Sequence, residues 1–257
     1  MGMFTMSASA SEPILLHAAG SLRGALSEIS QAFEKSSGLK VRAKFGPSGL
    51  LKDEIAAGGK AEVFASANME HPQALATVDK SGPVVLFARN KLCALVRPGL
   101  AVTTDTLLER MLDPNIKLGM STPKADPSGD YAFEAFRKAD AIRQNARAAL
   151  EKKALQLTGG ATSAAVPTGR NPYGWHLAES RADIFLAYCT AARDARKENP
   201  DLQTIALPDA LAVSADYGLT VTNNASPGAY QFALFILSSE GQRVLASHGF
   251  SAPGLSE

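Results

Sequence analysis

Ser21 and Ser48 stand in two similar turns, Ala18-Ala19-Gly20-Ser21-Leu22 and Phe45-Gly46-Pro47-Ser48-Gly49-Leu50. Before the first lies the apolar run Ile14-Leu15-Leu16, and after it Leu22, Ala25, Leu26, Ile29 and Phe33 recur at helical spacing. Before the second, Val41 to Phe45 alternates as a strand does, and Leu50, Leu51 and Ile55 continue as a helix. A serine where strand becomes helix can do one of three things. It can cap the helix, which serine favours. It can join the unpaired helix amides in gripping an anion, helped by the partial positive charge of the helix end. It can act as a nucleophile, given a base. Gly20, Gly46 and Gly49 allow the backbone to approach a ligand closely, which favours the anion grip.

The nucleophile reading is the weakest. Gly46-Pro47-Ser48-Gly49-Leu50 is not the G-x-S-x-G elbow, because its second glycine falls one residue early. Of the four histidines, His17, His71, His176 and His248, none belongs to a recognisable triad motif.

Strands and helices alternate along the rest of the chain, which points to a mainly parallel α/β sheet. The expected strands are Glu62–Ala65, Val84–Ala88, Leu92–Val96, Ile116–Met120, Ile184–Tyr188, Leu202–Leu207 and Tyr217–Thr222, and residues 141–157 read as a helix with a solvated face. A last helix is expected from Tyr230 to His248. The turn Thr168-Gly169-Arg170-Asn171-Pro172 starts the helix through Trp175.

The chain has 257 residues, 46% hydrophobic and 20% charged, as in a globular protein. A net charge of +1 gives no general attraction for nucleic acid. No stretch reaches the ~20 apolar residues that cross a bilayer. The start, Met1 to Ala10, lacks the pattern of a signal peptide, so the chain reads either as cytoplasmic or as a mature chain with another leader. Cys93 and Cys189 both sit in apolar runs and read as free buried thiols, a disulfide being the alternative in an oxidising compartment. Nothing suggests a metal site or cofactor.

Several segments together resemble the periplasmic molybdate-binding proteins of ABC importers. They are AAGSL, FGPSGLL, Ala61-Glu62-Val63-Phe64-Ala65-Ser66-Ala67-Asn68, Pro83 to Leu92, Asp126-Pro127-Ser128-Gly129-Asp130-Tyr131-Ala132, Ala182 to Tyr188 and Gln242 to Phe250. The resemblance implies a two-lobed α/β fold with the ligand in the cleft, lobe one formed by residues 1–92 and 222–257 and lobe two by 93–221. It implies a monomer that binds a tetrahedral oxyanion, molybdate or tungstate, in the periplasm and delivers it to a membrane permease, without catalysis. Ser21 and Ser48 match oxyanion ligands, Ser128 a residue that donates its backbone amide, and Tyr188 a tyrosine that donates its hydroxyl. Where the family has an apolar residue, this chain offers Arg170 or Asn171. An arginine would suit sulfate, phosphate or a carboxylate instead. A cytoplasmic anion sensor is a further alternative, though no residues are left over for an effector segment.

Overall fold

The computed structural model describes residues 12–253. The segment Met1 to Ala10 lies outside the described residues. The first stretch runs β1 (Ile14–Ala19), a 3-10 turn (Gly20–Leu22), α1 (Arg23–Ser37), β2 (Val41–Gly46), α2 (Ser48–Ala56), β3 (Val63–Ser66), α3 (Glu70–Thr77) and β4 (Val85–Val96). There follow α4 (Leu107–Leu112), β5 (Leu118–Ser121), α5 (Pro127–Ala139), α6 (Ala146–Lys153), β6 (Leu155–Thr158), α7 (Pro172–Ala178), β7 (Ile184–Tyr188), α8 (Cys189–Glu198) and β8 (Gln203–Ala206). The chain ends with β9 (Ser214–Val221), α9 (Pro227–Leu237) and α10 (Ser239–Ser247).

The strands are ordered β2-β1-β3-β9-β4-β7-β5-β6, with β8 on β4. Strands β1, β2 and β3 are parallel, as are β5, β6 and β7, which is the consequence of linking strands through helices. β4 joins the halves. Its residues Val85 to Lys91 pair with β9, and Leu92 to Val96 pair with β7 and β8. Each half has its own core. One packs α1 and α9 on the first sheet through Leu16, Leu26, Ile29, Phe33, Phe232 and Ile236. The other packs α5 and α6 on the second through Leu118, Met120, Phe136, Leu150 and Leu186.

Several expectations are corrected. Val84–Ala88 and Leu92–Val96 form one strand, because Arg89, Asn90 and Lys91 keep pairing with β9 while the chain passes between sheets. The helix expected over 141–157 is confined to α6, since Asn145 takes a left-handed conformation (φ 64°) before it and Leu155–Thr158 pairs with β5 after it. The final helix is two, broken at Ser238, whose extended backbone lets its hydroxyl accept from the Gly241 amide and cap α10. β9 lies in the first sheet along its whole length, so the chain returns there at Ser214, earlier than the expected boundary at residue 222.

The cysteines are not free. Cys93 and Cys189 form a disulfide with Cα atoms 4.9 Å apart. Cys93 lies opposite Ala187 across the β4–β7 ladder, which brings Cys189 within bonding distance. Apolar runs suggest burial but not which buried residues become neighbours, and here the strand register decides.

Candidate functional site

Strands β1, β2 and β3 from one half and β5, β6 and β7 from the other end at a common cleft, where open α/β sheets place ligands. The cavity there is about 210 Å³, below the ~300–1,000 Å³ of sites for drug-sized ligands. Ser21, Ser48, Ala67, Asp126, Tyr173 and Tyr188 are among its lining residues.

On the first sheet's side neither serine hydroxyl caps its helix. The residue before the 3-10 turn is Ala19 and that before α2 is Pro47, neither with a side-chain cap. Ser21 Oγ instead meets the Tyr217 hydroxyl at 2.9 Å, and Tyr217 is steadied by the Asn90 side-chain amide at 3.2 Å. Ser48 is buried at 1% exposure, and its Oγ accepts from the Ala67 amide at 3.1 Å. That bond uses a lone pair and leaves the Ser48 O–H to donate. Neither the turn nor α2 has a side-chain cap at its start, although the Gly49 amide of α2 is taken by the Ala125 carbonyl.

On the second side Tyr188 precedes α8, again without a side-chain cap. Its ring is buried, which pushes its phenol well above the usual range and keeps it a neutral donor. Among the described residues its hydroxyl donates only to the Ala67 carbonyl, at 3.5 Å. Ser128 is buried, with a hydroxyl that has no partner among the described residues and an amide that donates to Asp126 Oδ1 at 3.1 Å. It lies behind the lining rather than in it.

Arg170 and Asn171 do not reach the cleft. Arg170 Nε pairs with Glu198, which also accepts from the Asn171 amide at 2.6 Å. The Asn171 side chain caps α7, accepting from Tyr173 and Gly174 amides at 3.1 Å each. The next residues, Pro172 and Tyr173, line the cavity instead.

Sequence reasoning missed Asp126, Gly159, Ser163 and Tyr173, all in the lining. For Asp126 a signal existed: an aspartate directly before a proline marks a capped helix start, and the cap of α5 points into the cleft. In the sequence, Gly159-Gly160 signals only a break after a helix-forming stretch. The Gly159 φ of +79° and the Asp126 carboxylate 2.7 Å from where a Cβ would stand show why glycine is needed.

Burial pushes the Asp126 carboxyl up to about 6, with Asp130 adding to the rise while the Ser128 amide and Ser121 hydroxyl oppose it. A carboxyl raised by folding contributes stability that is full below its unfolded pKa and is lost as pH climbs through the folded one. The ligand-free protein is therefore expected to lose stability from this group between about pH 4 and 6, and Asp126→Asn to flatten that part of the curve. Urea midpoints across this range check it.

The two sides touch beside the cleft. The Gly49 amide donates to the Ala125 carbonyl at 2.9 Å, joining the start of α2 to the loop before α5. A Cβ on Gly49 would lie 2.2 Å from the Lys124 carbonyl oxygen and 2.7 Å from that of Ala125.

Two sheets on a shared strand, with helix starts and hydroxyls turned into the cleft between them, define a two-lobed solute-binding protein. Residues 14–251 match the bacterial extracellular solute-binding proteins, and the chain belongs to that family. It is 36% identical to an uncharacterised protein of Pasteurella multocida over 79% of this chain and 84% of that one. It is 28% identical to the molybdate-binding protein ModA of Escherichia coli over 49% of this chain and 51% of that one. Its fold matches that of the periplasmic molybdate-binding protein of Azotobacter vinelandii with a TM-score of 0.73 at 18% identity, covering 93% of this chain and 99% of that one. The chain is thus a solute-binding protein of the ABC-importer type.

Proposed function

We propose that the cleft binds one tetrahedral oxyanion, with molybdate and tungstate the first candidates, and that the protein delivers it as a monomer to an importer's permease from the periplasm. The observation that carries this reading is that Ser21 and Ser48 present hydroxyls at uncapped helix starts. Both line a cavity of about 210 Å³, a size that suits a small anion. Tyr188 supplies the donor from the opposite side, and the Ser128 amide is a donor that Asp126 would have to release. The disulfide fits an oxidising compartment. The division into lobes at residues 92 and 222 belongs to the same reading, with the second boundary moved to about Ser214 by the pairing of β9.

Arg170 is paired with Glu198 and lies outside the cavity lining, which speaks against its selecting another anion. Hydrolysis through Ser48 has little support, because no histidine lines the cleft among the described residues.

Calorimetric titration with molybdate, tungstate, sulfate and phosphate tests the reading, and no heat with any of them would refute it. Ser48→Ala is expected to weaken binding roughly ten- to a hundredfold, since a hydrogen bond to a charged group is worth about 1.5–3 kcal/mol. It should also cost about 1–3 kcal/mol of stability, because the buried Ala67 amide loses its acceptor. Lost stability with intact affinity would mean that Ser48 serves Ala67 alone.

A further inference from the structure

Asp126 is an odd wall for an anion site. Among the described residues it is the acidic side chain in the lining, and Arg23 the basic one. Arg23 lies with its guanidinium 4.8 Å from the centre of the Phe45 ring, on the first sheet's side and exposed to solvent. Among the described residues the other groups that shift Asp126 bring no positive charge, and Lys124, two residues before it, is exposed and acts on Asp130 instead. From α7 and β7 come the buried phenols of Tyr173 and Tyr188, both raised by burial and therefore neutral; from β5 comes Ser121; from its own helix comes Asp130, another acid. Of the two carboxyl oxygens, Oδ1 is occupied by the Ser128 amide, while Oδ2 lies beside Gly159 in the cavity wall. An ionised Asp126 and a bare dianion confined in one small, poorly hydrated cavity repel each other.

We propose that the ligand-bound cleft holds one proton between Asp126 and the anion, so that Asp126 sorts tetrahedral oxyanions by whether they bring that proton with them. The proposal rests on the reading of the cleft as an oxyanion site. Hydrogen phosphate carries a hydrogen, which it donates to the ionised carboxylate. Molybdate carries none at neutral pH, so Asp126 must take one from solution and then donate its own O–H to the anion. The carboxyl stands ready to do so, because burial already places its titration at about 6. The preference for molybdate over phosphate accordingly falls as the pH rises.

The test is calorimetric titration with molybdate and with phosphate, in buffers of differing ionisation enthalpy, on the wild type and on Asp126→Asn. Asparagine caps a helix as well as aspartate does, so α5 keeps its start. For the wild type, molybdate is expected to weaken by about tenfold for each pH unit above about 6.5, with uptake approaching one proton. Phosphate at about pH 8, where the hydrogen-bearing dianion dominates, is expected to bind with no uptake. In Asp126→Asn the molybdate affinity becomes independent of pH, proton uptake vanishes and phosphate loses its acceptor, binding more weakly than in the wild type. Wild-type molybdate binding with flat pH dependence and no proton uptake would overturn the proposal while leaving the oxyanion site intact. Absence of binding by either anion in either protein would refute the oxyanion site itself.

Discussion

Gly49→Ala is expected to weaken anion binding by at least about a hundredfold while leaving each half folded. The added Cβ would stand 2.2 Å from a backbone carbonyl, a distance that a flexible side chain cannot relieve because the obstacle is main chain. The α2 start and the 124–125 loop must separate, and the 2.9 Å bond from Gly49 to Ala125 is lost. An anion would then keep the donors of Ser21 and Ser48 but lose those from Tyr188 and the second sheet. Two hydrogen bonds to a charged group at about 1.5–3 kcal/mol each make the lower bound about 3 kcal/mol, or two decades in the dissociation constant. Titration gives the affinity. Scattering supplies the shape, expected to be wider for the variant under saturating anion than for the wild type. Wild-type affinity in the variant would mean that contact across the cleft is dispensable.

Loss of the disulfide should have the largest effect on stability. Cys93 and Cys189 are 96 residues apart, so the bond restrains a long loop of the unfolded chain. In the chain-entropy account a closed loop of this length is worth about 4–5 kcal/mol. At roughly 2–4 °C per kcal/mol for a chain of this size, Cys93→Ser with Cys189→Ser should lower the melting temperature by roughly 8–20 °C. Anion affinity, measured well below that temperature, should fall less than in Gly49→Ala, although Cys189 directly follows Tyr188. A double variant that melts within a few degrees of the wild type would show that the unfolded chain is already restrained without the bond.

The architecture was readable wherever one segment carried its own signal. Apolar runs followed by glycine–serine turns and helical spacing marked β1, α1, β2 and α2 without any knowledge of contacts. Features that depend on pairing were not readable. A strand passing between sheets through Arg89, Asn90 and Lys91 looks polar at its centre, and only its neighbours β9 and β7 make it continuous. The disulfide likewise follows from register. In the cleft, Ser21 and Ser48 were named for their strand-to-helix turns and Tyr188 through the resemblance, which also pointed to Arg170 or Asn171, but Arg170 is claimed by Glu198 from a distant helix. Asp126 escaped notice because its segment counted only as part of the resemblance, and neither the cap it makes nor the cavity that cap faces shows in the sequence.

The way β9 closes the first sheet bears on how the molecule is assembled in time. β3 pairs with β1 early but acquires its second neighbour only when β9 arrives, and α1 finds its packing partners Phe232 and Phe235 only in α9. Until then the β3 edge offers unpaired backbone groups, an invitation to sticking between chains. The stretch from Leu92 to Val213, by contrast, contains its own core without interruption. On a chain that emerges from its N-terminus, the inserted half can condense first. The half that begins the sequence, with both of its serines, must wait for the last helices before it is safe from its neighbours.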